Sequence, residues 1–94
     1  MSELDELSAE AEIGDQARIF MDSELGRTLL GIAEQEAETA RRLLGRVDPD
    51  DKKEIVRLQN EIALGERFPQ WLNELFEKGN NALEIYRHEK RRLQ

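Results

Sequence analysis

The stretch LLGRVDPDDKKE, residues 43–54, contains the signals that end one helix and begin another within a few residues. Gly45 ends a helix readily because glycine tolerates the left-handed backbone conformation. Asp48 followed by Pro49 is typical of an N-cap and the first helical position, and the acidic residues after them complement the dipole of the new helix. The stretch therefore predicts two antiparallel helices joined by a short loop.

Apolar residues recur every three or four positions on both sides of this loop, as on one face of a helix. Before the loop they are Ile13, Ala17, Phe20, Met21, Leu25, Leu29, Ile32, Ala33, Ala37, Ala40 and Leu44. After it they are Ile55, Leu58, Ile62, Phe68, Leu72, Leu75, Phe76, Leu83 and Tyr86. Asp22 and Ser23 can cap a helix, so we predict a short first helix to about Met21 and a longer one over 23–44. Pro69 predicts a kink near residues 66–68.

The predicted fold class is all-α, an antiparallel helical hairpin with a short N-terminal helix and a kinked second arm. Residues 1–12 are acidic and are expected to be frayed or weakly helical, and residues 13–94 form the single hairpin domain. Each arm of about 30 residues is about 45 Å long, and two such helices enclose too little interior to fold stably alone. Further apolar residues lie on faces that two helices cannot also cover: Ile19, Leu30, Leu43, Val56, Leu64, Trp71 and Ile85. We therefore expect a compact homo-oligomer.

Composition argues against several classes of function. The chain has no cysteine and one histidine, His88, so disulfides, thiolate metal sites and imidazole-based catalytic sets are not expected. We expect neither an enzyme nor a cofactor. The sequence contains no apolar run of about 18 residues and no signal-peptide core, which favours a cytoplasmic protein without a membrane partner.

The net charge of −7 is concentrated at the N-terminus. Residues 1–15 carry six acidic groups and no basic ones, which leaves fifteen acidic and fourteen basic residues over 16–94. A protein that binds DNA or RNA polymers normally has a basic footprint, and an acidic tail would repel a polyanion. A small anion held by a few convergent arginines remains compatible with this charge pattern.

Two short segments are candidate anion sites. In DSELGRT, residues 22–28, Gly26, Arg27 and Thr28 follow a capped helix start whose backbone amides can hold a phosphate. The alternative is an ordinary capped helix with a solvated arginine. In GERFP, residues 65–69, Arg67 and Phe68 precede the proline that is expected to kink the helix and aim the guanidinium inward. The alternative there is a surface arginine paired with a neighbouring glutamate.

Several short blocks occur in a characteristic order: GRTLLGIAEQE (26–36), VDPDD (47–51), IVRLQNEI (55–62), ERFPQWL (66–72) and a late glycine. In this order and spacing, over about residues 16–86, the chain resembles the small phage hairpin proteins that disarm CBASS and Thoeris immunity. Members of that family sequester cyclic nucleotide signals without cleaving them and form compact all-helical homohexamers. The resemblance implies a phage-encoded sponge in the cytoplasm of the infected bacterial host, which blocks CBASS-type antiviral signalling.

The resemblance also implies roles for particular residues. In the family, a threonine on the first long helix and an arginine on the second contact the phosphates of a cyclic trinucleotide where three protomers converge, and these positions correspond to Thr28 and Arg67. A separate pocket for cyclic dinucleotides uses a lysine near the start of that helix, where this chain has Gly26 and Arg27, and an aromatic residue that the stretch before Phe20 lacks. Cyclic trinucleotides are therefore the favoured ligand, with cyclic dinucleotides second.

A different class of function fits the same pattern of residues. A small helical phage structural protein, or an inhibitor that docks onto a host protein, would share the hairpin and its second apolar face. Such a protein would act through protein–protein contacts. Dependence on a cyclic nucleotide ligand separates the two hypotheses.

Overall fold

The computed structural model describes residues 2–93, most of which are helical. Helix α1 spans Glu3–Asp22, α2 spans Glu24–Leu44 and α3 spans Lys52–Arg92. Residues 2–93 contain no strand. The predicted all-α class is confirmed.

The chain divides into two compact units. The first unit comprises Met1–Ser23 and Trp71–Gln94, so that α1 belongs with the second half of α3. The second unit comprises Glu24–Gln70 and contains α2 with the first half of α3. Helix α3 is continuous through Pro69. The kink predicted near this proline stays a prediction.

Helix α1 begins with a reciprocal cap. The Asp5 backbone N–H donates to the Ser2 hydroxyl oxygen at 3.2 Å, and the Ser2 backbone N–H donates to the Asp5 carboxylate at 3.4 Å. This capping box satisfies two amides at the helix start, and the acidic first turn complements the helix dipole. Residues 3–12, which we expected to be frayed or weakly helical, therefore belong to a regular helix. With 20 residues, α1 is nearly as long as the 21-residue α2 and is not the short helix that the sequence predicted.

The break between α1 and α2 falls at Ser23, within a residue of its predicted place. Ser23 has an extended backbone with φ −72° and ψ 159°. Its hydroxyl donates a hydrogen bond to the Phe20 carbonyl oxygen at 2.6 Å, which satisfies an acceptor at the end of α1. The polar residues between two apolar stretches thus mark a real helix boundary.

The loop between α2 and α3 corrects two details of the prediction. Helix α2 ends at Leu44 as expected, but no described glycine has a positive φ, so Gly45 follows the helix without a left-handed conformation. Helix α3 begins at Lys52, and its N-cap is Asp51, whose carboxylate accepts the Glu54 backbone N–H at 3.2 Å. The Asp48 carboxylate accepts the Asp50 N–H at 2.9 Å and stabilises the turn before the helix. The prediction of Asp48 as N-cap and Pro49 as first helical residue was therefore wrong.

Replacing Asp51 by alanine should destabilise the protein by about 0.5–2 kcal/mol, because it removes the cap of the longest helix. Urea denaturation at fixed protein concentration measures the change. Asp50→Ala is the matched control. It deletes the neighbouring carboxylate, which accepts none of the hydrogen bonds described for residues 2–93. Equal losses in the two variants would contradict the assignment of Asp51 as the cap.

The side chains buried in a single chain are mostly small. The buried hydrophobic residues are Ala17, Ala37, Ala40, Leu58 and Ala82. Twelve large hydrophobic side chains among the described residues are exposed: Ile13, Ile19, Leu25, Leu29, Ile32, Leu43, Val56, Leu64, Trp71, Leu75, Ile85 and Leu93. Their exposed fractions run from 38% to 68%. The apolar stripe that the sequence predicts is therefore only partly buried within one chain.

Glycines explain why the buried side chains are so small. In the first unit, a Cβ atom added to Gly14 would lie 2.6 Å from the Cα atom of Gly79. In the second unit, a Cβ atom added to Gly65 would lie 2.7 Å from the Ala33 carbonyl oxygen and 2.9 Å from the Ala37 Cβ atom. Helices whose backbones approach so closely leave room between them for alanine but not for larger side chains.

Candidate functional site

The five residues predicted to bind a ligand all lie in the second unit. Gly26 and Arg27 lie in the first turn of α2, and Thr28 follows them. Arg67 and Phe68 lie in α3, immediately before Pro69. The side chains of Arg27, Thr28 and Arg67 are exposed, Phe68 is half-buried and Gly26 is buried. The unit therefore offers two arginines and a hydroxyl group at its surface.

The Thr28 hydroxyl already has a partner. Its Oγ1 donates a hydrogen bond to the Glu24 carbonyl oxygen at 2.8 Å, one turn earlier in α2. A hydroxyl has one hydrogen to donate, so Thr28 can donate to a phosphate only by rotating away from this carbonyl. The same hydroxyl can accept a hydrogen bond without any change. Binding an anion through Thr28 therefore exchanges one hydrogen bond for another and does not simply add one.

An ion pair lies beside Arg67 and joins α2 to α3. Arg41 donates to the Glu66 carboxylate across the helix pair and also to Glu38 on its own helix at 3.3 Å. The hydrogen bond with Glu66 raises the pKa of the Arg41 guanidinium, which favours its charged form. The carboxylate that precedes Arg67 in sequence is therefore held by a different arginine.

The same pair borders a surface groove of about 380 Å³. The groove is lined by residues of α2 and α3: Leu30, Glu34, Ala37, Arg41, Gly65, Glu66 and Pro69. Arg41 and Glu66 are paired with one another, and Leu30, Ala37 and Pro69 contribute apolar side chains to the lining. The groove is suited to an apolar or aromatic group more than to a phosphate. Arg67 and Phe68 lie in the sequence between Glu66 and Pro69, two residues that line the groove.

Sequence reasoning missed the Arg41 and Glu66 pair. The two residues are 25 positions apart, and their proximity depends on the register of α2 against α3. One indication of this contact was present in the sequence, the small size of Gly65 and Ala37, which permits α2 and α3 to pack closely where these residues face each other. Register is a property of the packed helices, and apolar periodicity alone does not determine it.

Two further observations bear on the chemistry of the chain. Among residues 2–93, no group of three or more histidine, cysteine, aspartate or glutamate side chains is placed to hold a metal ion. Within the same range, no helix has both the length and the apolar character that crossing a bilayer requires.

Comparison with known proteins gives no match to this chain. No protein-family model matches it, and neither a curated protein nor a solved structure is significantly similar to it.

Proposed function

We propose that this protein is a phage-encoded sponge for cyclic oligonucleotide second messengers. It binds cyclic trinucleotides in preference to cyclic dinucleotides, does not cleave them, and blocks CBASS-type signalling in the cytoplasm of the infected bacterium. It acts as a homohexamer of antiparallel helical hairpins. Support comes from the ordered sequence blocks over residues 16–86, which include Thr28 and Arg67.

The observation that carries the proposal is the mismatch between what one chain buries and what it exposes. Leu58 is the largest side chain with less than 2% of its surface exposed, whereas twelve large hydrophobic side chains remain exposed. Burial of apolar surface is the main favourable term in folding and association. A chain of 94 residues with this distribution gains stability when a partner covers its apolar faces, and the proposal assigns that role to further copies of the same chain.

The exposure of the two predicted phosphate contacts is compatible with capture of a symmetric ligand. Thr28 and Arg67 lie in the same unit, and both side chains are exposed. If three copies meet, each offers one phosphodiester of a cyclic trinucleotide one guanidinium and, after rotation away from the Glu24 carbonyl, one hydroxyl. A guanidinium binds a phosphate through two parallel N–H donors, which adds geometric selectivity to charge. Hydrogen bonds to charged groups contribute roughly 1.5–3 kcal/mol each, and a threefold site makes each contact three times, which favours capture where the assembly preorganises the site.

Isothermal titration calorimetry with the purified protein tests the proposal. We expect saturable binding of a cyclic trinucleotide with one ligand for every three chains, and recovery of unchanged ligand after denaturation. The linear trinucleotide of the same bases with a 5′-phosphate is the control, because it carries the same bases and the same number of phosphorus atoms without the closed ring. Absence of binding to any cyclic di- or trinucleotide at micromolar concentrations would refute the proposal.

The exposed apolar side chains are equally compatible with a protein partner, so a structural or inhibitory phage protein remains the second candidate. Melting experiments separate the two. A ligand that binds only the folded protein stabilises it by about 2.7 kcal/mol at a concentration of 100 times its Kd. A sponge should therefore gain melting temperature with a cyclic nucleotide, whereas an inhibitor of the second class should respond only to its protein target.

A further inference from the structure

The C-terminal end of α3 carries a basic groove that none of the predicted ligand contacts uses. This basic groove has a volume of about 480 Å³ and is lined by Tyr86, Arg87, Lys90 and Arg91. The Lys90 ammonium lies 5.6 Å from the centroid of the Tyr86 ring, and Arg91 donates to the Arg87 carbonyl oxygen at 3.3 Å. Three of the four lining residues are cationic, and the fourth is a half-buried aromatic.

Helix α1 carries a groove of similar size and opposite charge. This acidic groove has a volume of about 500 Å³ and is lined by Glu3, Glu6, Leu7, Ala9 and Glu10. The three glutamates are spaced by three and four positions, which places them on one face of the helix. Both grooves belong to the first unit.

The contacts between α1 and α3 show that the two helices are antiparallel. A Cβ atom on Gly14 would lie 2.9 Å from the Leu75 carbonyl oxygen, and one on Gly79 would lie 3.2 Å from the Glu10 carbonyl oxygen. Earlier residues of α1 thus lie beside later residues of α3. The N-terminus of α1 and the C-terminal part of α3 are consequently at the same end of the unit.

The grooves nevertheless face opposite sides of this helix pair. Successive residues of a helix are rotated by about 100° around its axis. The three glutamates of the acidic groove therefore lie roughly 20–80° around the axis of α1 from Gly14, all in the same direction of rotation. The three cations of the basic groove lie roughly 20–120° around the axis of α3 from Gly79, in the opposite direction of rotation along the chain. In an antiparallel pair, opposite senses correspond to opposite sides. The ion pairs described in this unit agree, since Arg18 with Asp15 and Asp22, and Arg92 with Glu89, each join neighbours on one helix.

We propose that the basic groove receives the acidic face of α1 from a second copy of this chain. The two surfaces are complementary in charge, with three cations against three carboxylates. Because they lie on opposite sides of one unit, the contact is head-to-tail, and such contacts close into rings when the rotation between copies permits. This inference rests on the proposed function, for which it identifies one contact between protomers.

Charge complementarity of this kind sets orientation more than affinity. Exposed ion pairs are individually weak, whereas opposed charged surfaces steer partners and penalise wrong arrangements. Apolar faces elsewhere on the chain supply the burial, and the charged grooves select the neighbour. The contact should weaken with salt, since the screening length falls from about 10 Å at 0.1 M to about 3 Å at 1 M.

Charge reversal with native mass as the readout tests the contact. The base-reversed variant carries Arg87→Glu, Lys90→Glu and Arg91→Glu, and the acid-reversed variant carries Glu3→Lys, Glu6→Lys and Glu10→Lys. We expect each to weaken assembly by about tenfold or more and the chain that combines all six changes to regain the wild-type mass. The control Arg46→Glu, Lys52→Glu and Lys53→Glu makes the same charge change at exposed positions around the loop and should keep that mass.

Several results would overturn the inference. The first is a wild-type protein that is monomeric at low salt. The second is a base-reversed variant that keeps the wild-type mass. The third is a chain with all six changes that stays helical by circular dichroism but does not regain the wild-type mass. A base-reversed variant of unchanged mass that no longer binds heparin would assign the groove to a polyanion instead. If the wild type binds no cyclic nucleotide but the masses change as expected, the proposed sponge function fails and this contact stands.

Discussion

Replacing Arg67 by alanine should weaken capture of a cyclic trinucleotide by at least about tenfold and leave the native mass unchanged. In a threefold site, one substitution removes three guanidinium groups, and a free-energy loss of about 1.4 kcal/mol already corresponds to a factor of ten. The Arg67 side chain is exposed in the single chain, so its truncation removes little packing within that chain. Calorimetry and native mass measured on the same samples test both parts of the expectation.

Two further variants are compared with Arg67→Ala: the conservative variant Arg67→Lys and the control variant Arg57→Ala. Lysine keeps the charge but lacks the planar pair of donors, so Arg67→Lys should fall between wild type and Arg67→Ala. Arg57 lies on the same helix and donates to Glu54 and, at 2.7 Å, to Glu61. Because its partners lie on its own helix, Arg57→Ala should not change ligand affinity. Loss of the oligomer in Arg67→Ala would instead make Arg67 a structural residue.

The second large effect is expected at the glycine contact of the first unit. Gly79→Ala should destabilise the protein by about 1–3 kcal/mol, because overpacking a tight contact forces backbone movement. The new Cβ atom would lie 2.6 Å from the Gly14 Cα atom, and a backbone atom cannot move aside as a flexible side chain can. At about 4–8 °C per kcal/mol for a small domain, the melting temperature should fall measurably.

Gly31→Ala is the matched control for this experiment. Gly31 also lies within a helix, but a Cβ atom there would meet nothing within 4 Å. Alanine is favoured over glycine in a helix by about 1 kcal/mol, so Gly31→Ala should raise the melting temperature. The same chemical change should thus have opposite signs at two positions. Equal shifts would contradict the close approach of α1 and α3.

The helices and the break between α1 and α2 could be predicted from sequence because their signals are local. Apolar periodicity identifies a helix, and Ser23 interrupts it. The choice of Asp51 over Asp48 as the cap of α3 could not be predicted, since both residues have the right side chain and only the path of the loop decides between them. Likewise, the extent of α1 depends on the reciprocal cap at Ser2, which composition does not reveal.

Long-range features were beyond sequence reasoning for a different physical reason. The contact of Gly14 with Gly79 and the pair of Arg41 with Glu66 depend on register, which is set when two helices pack. Periodicity shows which face is apolar but not which residues meet. For the candidate site, the residue types of Thr28 and Arg67 could be singled out in advance. The hydrogen bond that occupies the Thr28 hydroxyl appears only in the folded helix.

The scarcity of large buried side chains has a consequence for how the protein accumulates in a cell. Under the proposed assembly, a chain that has not yet met its neighbours is marginally stable, because most of its driving force for folding arises on encounter. Newly made chains at low abundance are then open to proteolysis, whereas those made in a burst protect one another by mass action. The active pool should therefore rise more steeply than the rate of synthesis.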